Sequence, residues 1–129
     1  MLKKVKFIAK EAVLRARYIM EKDCLFCKII AGKIKTEPVL ETENVLAFCD
    51  VNPVADVHIL IVPKRHINSV LTIGEKDAGE LVDMYGAVQQ IVKKKNIEAF
   101  RLTINGGKFQ HVGHLHMHLL AGKKIDWNK

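Results

Sequence analysis

Gln110-His111-Val112-Gly113-His114-Leu115-His116-Met117-His118-Leu119-Leu120 holds four of the chain's six histidines, and from His114 onward they alternate with apolar residues. Alternation predicts a strand, because successive side chains of a strand point to opposite faces. His114, His116 and His118 then line one face, each about 6.6 Å from the next, while Leu115, Met117 and Leu119 line the other. The apolar face suits burial. Three imidazoles in a row suit a site that handles a proton, a metal or a phosphate. A single strand histidine is ordinarily a polar residue at a half-exposed position, but three beside an unbroken apolar register call for more than that.

The rest of the chain bounds what such a site can belong to. With 129 residues, 49% of them hydrophobic, the chain can bury one core without staples. No apolar run approaches the roughly 18 residues of a membrane span, and no signal-peptide pattern is present, so a soluble protein is expected. The net charge of +7 is lopsided: residues 1 to 19 carry six basic side chains against one acid, Glu11, which leaves +2 for residues 20 to 129. Beyond Lys93-Lys94-Lys95 the body has no basic stripe with interleaved aromatics, so no specific nucleic-acid partner is expected. Three cysteines form no disulfide framework, and an odd count without a secretion signal points to a reducing, cytoplasmic setting. There, Cys24-Leu25-Phe26-Cys27 is either a redox couple or half of a zinc site.

Residues 1–22 read as a basic amphipathic extension, with Val5, Ile8, Ala12, Val13, Ala16 and Ile19 at helical spacing. Membrane contact, targeting, packing on the body, or a reading frame begun upstream of the domain's own Met20 all remain open for it. The domain proper then spans residues 23–129. A short helix from Cys24 to Ala31 should stop at Gly32. Pro38 to Glu41 and Val45 to Asp50 read as a hairpin, and His58 to Val62 as a third strand stopped by Pro63. A long helix is predicted over Glu75 to Lys95, with Ala78, Leu81, Val82, Tyr85, Val88 and Val92 on its buried stripe. Phe100 to Ile104 and the histidine stretch supply two more strands. The order predicts an α+β fold, one antiparallel sheet of about five strands packed on one long helix, plus the short N-terminal helix.

His114-Leu115-His116-Met117-His118-Leu119-Leu120 resembles the signature of the histidine triad (HIT) family. Asp23-Cys24-Leu25-Phe26-Cys27-Lys28-Ile29-Ile30, Leu46-Ala47-Phe48-Cys49-Asp50 and Leu60-Ile61-Val62-Pro63-Lys64-Arg65-His66 resemble further segments of its Hint branch, in the right order. The resemblance implies hydrolysis or transfer at the α-phosphate of a nucleotide, with His116 as nucleophile, His118 as donor to a phosphate oxygen and His114 as an orienting member. The chemistry suits the residues: near neutral pH an imidazole is a nucleophile without strong activation. One ring nitrogen must be held as a donor, by a backbone carbonyl in this family, so that the other presents its lone pair.

The same resemblance implies a structural Zn2+ on Cys24, Cys27, His66 and His114, a set that fits tetrahedral zinc. It implies that Asp50 accepts from the ribose hydroxyls, that Leu25, Phe26, Ile29, Phe48 and Val51 form the slot for a base, purine preferred, and that Asn105 and Gln110 lie against substrate. Glycines 106 and 107 would let the backbone approach a phosphate. Cys49 would border the base slot, and Trp127 would reach toward the partner in a homodimer. His58 reads as structural. One departure stands out. Relatives often carry a hydroxyl residue in the triplet before the triad, and this chain has Phe109-Gln110-His111, so His111 either protonates a leaving amine or faces solvent. A nucleoside phosphoramidase or nucleotidyl hydrolase is the leading expectation. The alternatives are a dinucleoside polyphosphate hydrolase or nucleotidyltransferase, a nucleotide-binding interaction module with little turnover, and a hydrolase whose metal sits on the three triad histidines together.

Overall fold

The computed structural model describes residues 23–126. Residues 1–22, and with them the amphipathic extension, lie outside the described residues, as does Trp127. The elements are α1 (Leu25–Ile30), β1 (Pro38–Glu41), β2 (Val45–Cys49), β3 (Ala55–Pro63), α2 (Ala78–Lys94), β4 (Phe100–Thr103) and β5 (Met117–Ile125), with single 3-10 turns at Val70–Thr72, Glu75–Asp77 and Gly107–Phe109. All strand pairings are antiparallel, in the order β1-β2-β3-β5-β4. The α+β sheet-on-helix architecture expected from the sequence is the one observed.

Strand alternation sorts the sheet into two layers. Val45, Ala47, Ile59, Ile61, Met117 and Leu119 face α2, where they pack on Met84, Ala87, Val88 and Ile91. Leu46, Phe48, Leu60 and Val62 face the other way and are covered by Phe26 and Ile30 of α1. Each such side chain contributes roughly 1.5–3 kcal/mol through burial. The helix α1 ends as its glycine demands: Gly32 takes φ +80°, its N–H donates to the Ile29 carbonyl at 3.0 Å, and the Lys33 N–H reaches the Lys28 carbonyl at 2.9 Å. This paired closure satisfies two carbonyls that the helix leaves open.

Two expectations need correction. The buried stripe of α2 is Met84-Ala87-Val88-Ile91, flanked by Leu81 and Val92, whereas Val82 and Tyr85 are 69% and 49% exposed. The helix carries apolar residues over more than one face, and the sheet selects the one at i, i+3, i+4, i+7. The histidine strand also begins later than its alternation suggests. Only Met117 onward is in the ladder, because the Leu115 N–H donates to the Ile67 carbonyl at 2.7 Å rather than to a neighbouring strand. The alternation of faces nonetheless holds through this lead-in: Leu115 is buried with the α2 layer, and the rings of His114 and His116 meet Phe26 on the opposite side.

Candidate active site and metal centre

At the start of the triad, His114 is buried and committed on both ring nitrogens. Its Nε2–H donates to the Pro63 carbonyl at 2.8 Å, which leaves Nδ1 bare and 3.4 Å from Cys24 Sγ and 3.6 Å from Cys27 Sγ. His66 repeats the pattern, with Nε2–H donating to Asn68 Oδ1 at 2.7 Å and Nδ1 lying 3.2 Å from Cys27 Sγ. The four ligand atoms of Cys24, Cys27, His66 and His114 all lie within 4.8 Å of one another. Two sulfurs and two bare imidazole nitrogens, each ring fixed from behind by an oxygen, form a donor set that fits tetrahedral zinc. Cys24 also caps α1, accepting from the Cys27 N–H at 3.3 Å, so the cysteine pair and the short helix come as one unit. His66 is held in turn by its neighbour: the Arg65 guanidinium donates to Asp77 and to Glu80 at the start of α2.

His116 is oriented by the next link in the chain. Its Nδ1–H donates to the carbonyl of His114 at 2.7 Å, so Nε2 carries the lone pair, on a ring packed edge-on against Phe26 at 5.0 Å. Burial holds its pKa below the ordinary imidazole value, with the bond to the His114 carbonyl opposing the shift. Burial therefore favours the neutral ring near pH 7.

His118 meets a partner that the sequence reading set aside. In the β3–β5 register Leu60 lies opposite His118 and His58 opposite Leu120, which makes His58 and His118 diagonal neighbours on one face. The Val54 N–H donates to His58 Nδ1 at 3.0 Å, so the proton of neutral His58 sits on Nε2, 2.9 Å from His118 Nδ1. While it accepts at Nδ1, His118 keeps its own proton on Nε2, which lies 3.4 Å from Asn105 Nδ2 and calls for that amide to turn its oxygen inward to accept. Burial, reinforced by His116 and His58, pushes the His118 pKa down to about 4, and burial lowers that of His58 as well. His58, which the sequence reads as structural, therefore lies on the cavity wall in contact with His118. Its signal in the sequence was its even spacing from Leu60 and Val62, but the partner across the ladder could not be read without the register.

Asp50, His58 and His118 also offer ligand atoms within 4.8 Å of one another. A metal on His58 Nε2 would move the ring proton to Nδ1, against the Val54 N–H, so the cluster is built as a hydrogen-bonded relay and not as a cation site. A metal shared by the three triad histidines fails on the same ground, since His114 turns its bare nitrogen to the cysteines while His116 turns its own away from the His114 carbonyl.

His58, His116 and His118 open into one cavity of about 1710 Å³. Leu25, Phe26, Ile29 and Phe48 line its apolar side, with Val51 on the rim at 90% exposure. Asp50, Asn105, Phe109 and His111 line it near the imidazoles, and the exposed Cys49 borders it. Gln110 does not reach it. Its amide donates to the carbonyls of Asn68 at 2.8 Å and Val112 at 3.0 Å, so the expected substrate contact is instead a brace between the triad's lead-in and the His66 loop. Asp50 also begins a turn, Oδ1 accepting from the Asn52 N–H at 2.8 Å, without leaving the cavity wall.

Comparison with known proteins agrees with this geometry. The family model described as "Scavenger mRNA decapping enzyme C-term binding" matches residues 23–129. A histidine triad protein from Clostridium difficile superposes with a TM-score of 0.78 at 42% identity, covering 83% of this chain and 96% of that one. A HIT family hydrolase from Clostridium thermocellum gives 0.76 at 40% identity, over 80% and 93% of the two chains. The 14 kDa zinc-binding protein of Zea mays is 37% identical over 125 residues, 92% of this chain and 94% of its own length. With the triad, its flanking segments and the fold all matched, this chain belongs to the histidine triad family.

Proposed function

We propose that the chain is a nucleotide hydrolase that cleaves nucleoside phosphoramidates or related nucleotidyl adducts at the α-phosphate, through a covalent intermediate on His116. The observation that carries this reading is the His116 Nδ1–H bond to the His114 carbonyl, which leaves Nε2 as the lone-pair nitrogen of a ring on the cavity wall. That lone pair attacks phosphorus, the bond from phosphorus to the leaving nitrogen breaks, and the amine takes its proton from His111 at the cavity mouth. His118 Nε2–H donates to a non-bridging phosphate oxygen, where negative charge gathers. A water oxygen then attacks phosphorus, the P–Nε2 bond breaks, and the water proton returns to His111. Asp50 accepts from the ribose hydroxyls, and Leu25, Phe26, Ile29, Phe48 and Val51 hold the base, a purine by preference.

Cys24, Cys27, His66 and His114 would hold zinc, which would supply a structural crosslink between α1 and the triad. The names of the C. thermocellum hydrolase and the maize zinc-binding protein support hydrolysis and zinc. A homodimer accords with the exposed Val82 and Tyr85 on α2 and Phe100 on the edge strand β4, and we propose that it is cytoplasmic.

His116→Ala should abolish release of AMP from adenosine 5′-phosphoramidate, a loss of at least 10³-fold for a deleted nucleophile, with the melting temperature within a few degrees of the parent. Full turnover by that variant, or faster cleavage of a dinucleoside polyphosphate than of the phosphoramidate by the parent, overturns the reading in its mechanism or in its substrate.

A further inference from the structure

Among the described residues, two acceptors face the proton on the outer nitrogen of His58. Nε2 lies 2.9 Å from His118 Nδ1 and 3.3 Å from Asp50 Oδ2, while the Val54 N–H occupies the far side of the ring. The ring is clamped, with only 2% of its side chain exposed against 19% for Asp50. It cannot turn to serve both acceptors, so the proton is divided between them according to how strongly each draws on it. Asp50 draws as a carboxylate whose Oδ1 is already engaged by the Asn52 N–H. His118 draws as a neutral imidazole, and only while it accepts at Nδ1 is its own proton fixed on Nε2, beside Asn105 in the cavity.

We infer that Asp50 is a positioning residue as well as a sugar contact: a ribose with both hydroxyls draws its carboxylate away from His58, so that the His58 proton passes wholly to His118 Nδ1 and locks the His118 Nε2–H donor on the phosphate. The inference rests on the assignment of Asp50 to the ribose made above and deepens it. Two hydroxyls donating to the carboxylate occupy lone pairs and spread its charge, which weakens the longer 3.3 Å contact before the 2.9 Å one. Sugar recognition is thereby converted into donor strength at a second atom. Binding energy from a remote part of the substrate then appears in kcat and not only in KM.

The test compares ribose with its 2′,3′-dideoxy counterpart by two readouts. The first needs no turnover: long-range ¹⁵N–¹H spectra of the protein's histidine rings with AMP or with 2′,3′-dideoxy-AMP at saturation. AMP should give His118 the pattern of a single tautomer protonated at Nε2, whereas the dideoxy nucleotide should leave the mixed pattern of the free protein. Identical His118 spectra in the two complexes overturn the inference. The second is kinetic, with the two adenosine phosphoramidates. Loss of the diol should lower kcat about tenfold, the worth of one charged hydrogen bond, beyond its effect on KM. In His58→Ala, which cuts the relay, that tenfold kcat difference should vanish while the KM difference persists. A diol effect confined to KM in the parent, or a kcat effect undiminished in His58→Ala, also overturns it. Absence of phosphoramidate turnover in the parent, with the spectra still distinguishing the two nucleotides, would instead remove the proposed reaction and leave the sugar-to-His118 coupling standing.

Discussion

Replacing Arg65 by alanine tests whether the His66 loop is held onto α2 by charge. Asp77 is 1% exposed, accepts from the Arg65 guanidinium, and accepts at its other oxygen from the Gly74 N–H at 2.9 Å. Arg65 Nε also donates to Glu80 at 2.9 Å. Deleting Arg65 leaves a buried carboxylate with one neutral donor, a change that costs about 3–5 kcal/mol when one partner of a buried pair is removed. We expect the lower end, about 3 kcal/mol, because the Gly74 bond survives. Asp77→Ala should cost about 2 kcal/mol, since Arg65 keeps Glu80, and the double variant should fall short of the summed losses by at least 1 kcal/mol. Urea titrations of the four proteins give these values. Arg65 also holds the carboxyls of Asp77 and Glu80 below their usual range. A depressed folded pKa gives stability that is present above the unfolded value, near pH 4, and lost as pH falls through the folded value. Acid unfolding between about pH 4 and 2 should therefore be shallower in Arg65→Ala than in the parent. A loss under 1 kcal/mol, or strict additivity in the double variant, refutes the clamp.

Three further outcomes follow from the geometry. Gly122→Ala should destabilise by about 2–4 kcal/mol in a urea titration, because φ is +116° there and a Cβ would lie 2.5 Å from Asp56 Oδ2, which accepts the Lys123 N–H. Asp56→Gly in the same chain should recover the steric part but not the backbone strain. Dialysis of zinc-loaded protein against a strong chelator should remove one metal per chain and lower the melting temperature, with Cys27→Ser showing the lower value from the start; a metal that stays bound in Cys27→Ser would move the centre elsewhere. His118, held to about 4 by burial, should stay neutral through pH 5, so the His118 signals should titrate near pH 4 by NMR and not near 6.5. Because the unfolded chain protonates this residue first, its contribution to stability is full above pH 6.5 and falls as the pH drops toward 4.

The sheet and the long helix α2 were legible because both rest on periodicity, and β1 fell on Pro38–Glu41 as expected. What periodicity leaves out is partnership. It could not tell which apolar stripe of α2 meets the sheet, so Val82 and Tyr85 were placed inside when they are out. It could not show that His58 meets His118, since that depends on Leu60 standing opposite His118. The cysteine and histidine set, by contrast, was assembled from a motif resemblance, and the folded chain brings all four ligands together. Gln110 shows the reverse: a polar residue beside the triad was read as a substrate contact, yet its amide is consumed by two backbone carbonyls.

His114 shows how the proposed metal centre would stand beside the proposed nucleophile without sharing it. Its Nε2–H is tied to Pro63, its Nδ1 faces the two thiols, and its carbonyl receives the proton of His116. The ring and the carbonyl belong to one residue, so a ring tied at both nitrogens restrains the backbone whose carbonyl receives the His116 proton. A metal placed directly on His116 would take the very lone pair that the reaction uses. Placed on His114, it would act through geometry alone, and the three rings of the triad differ in what holds each proton.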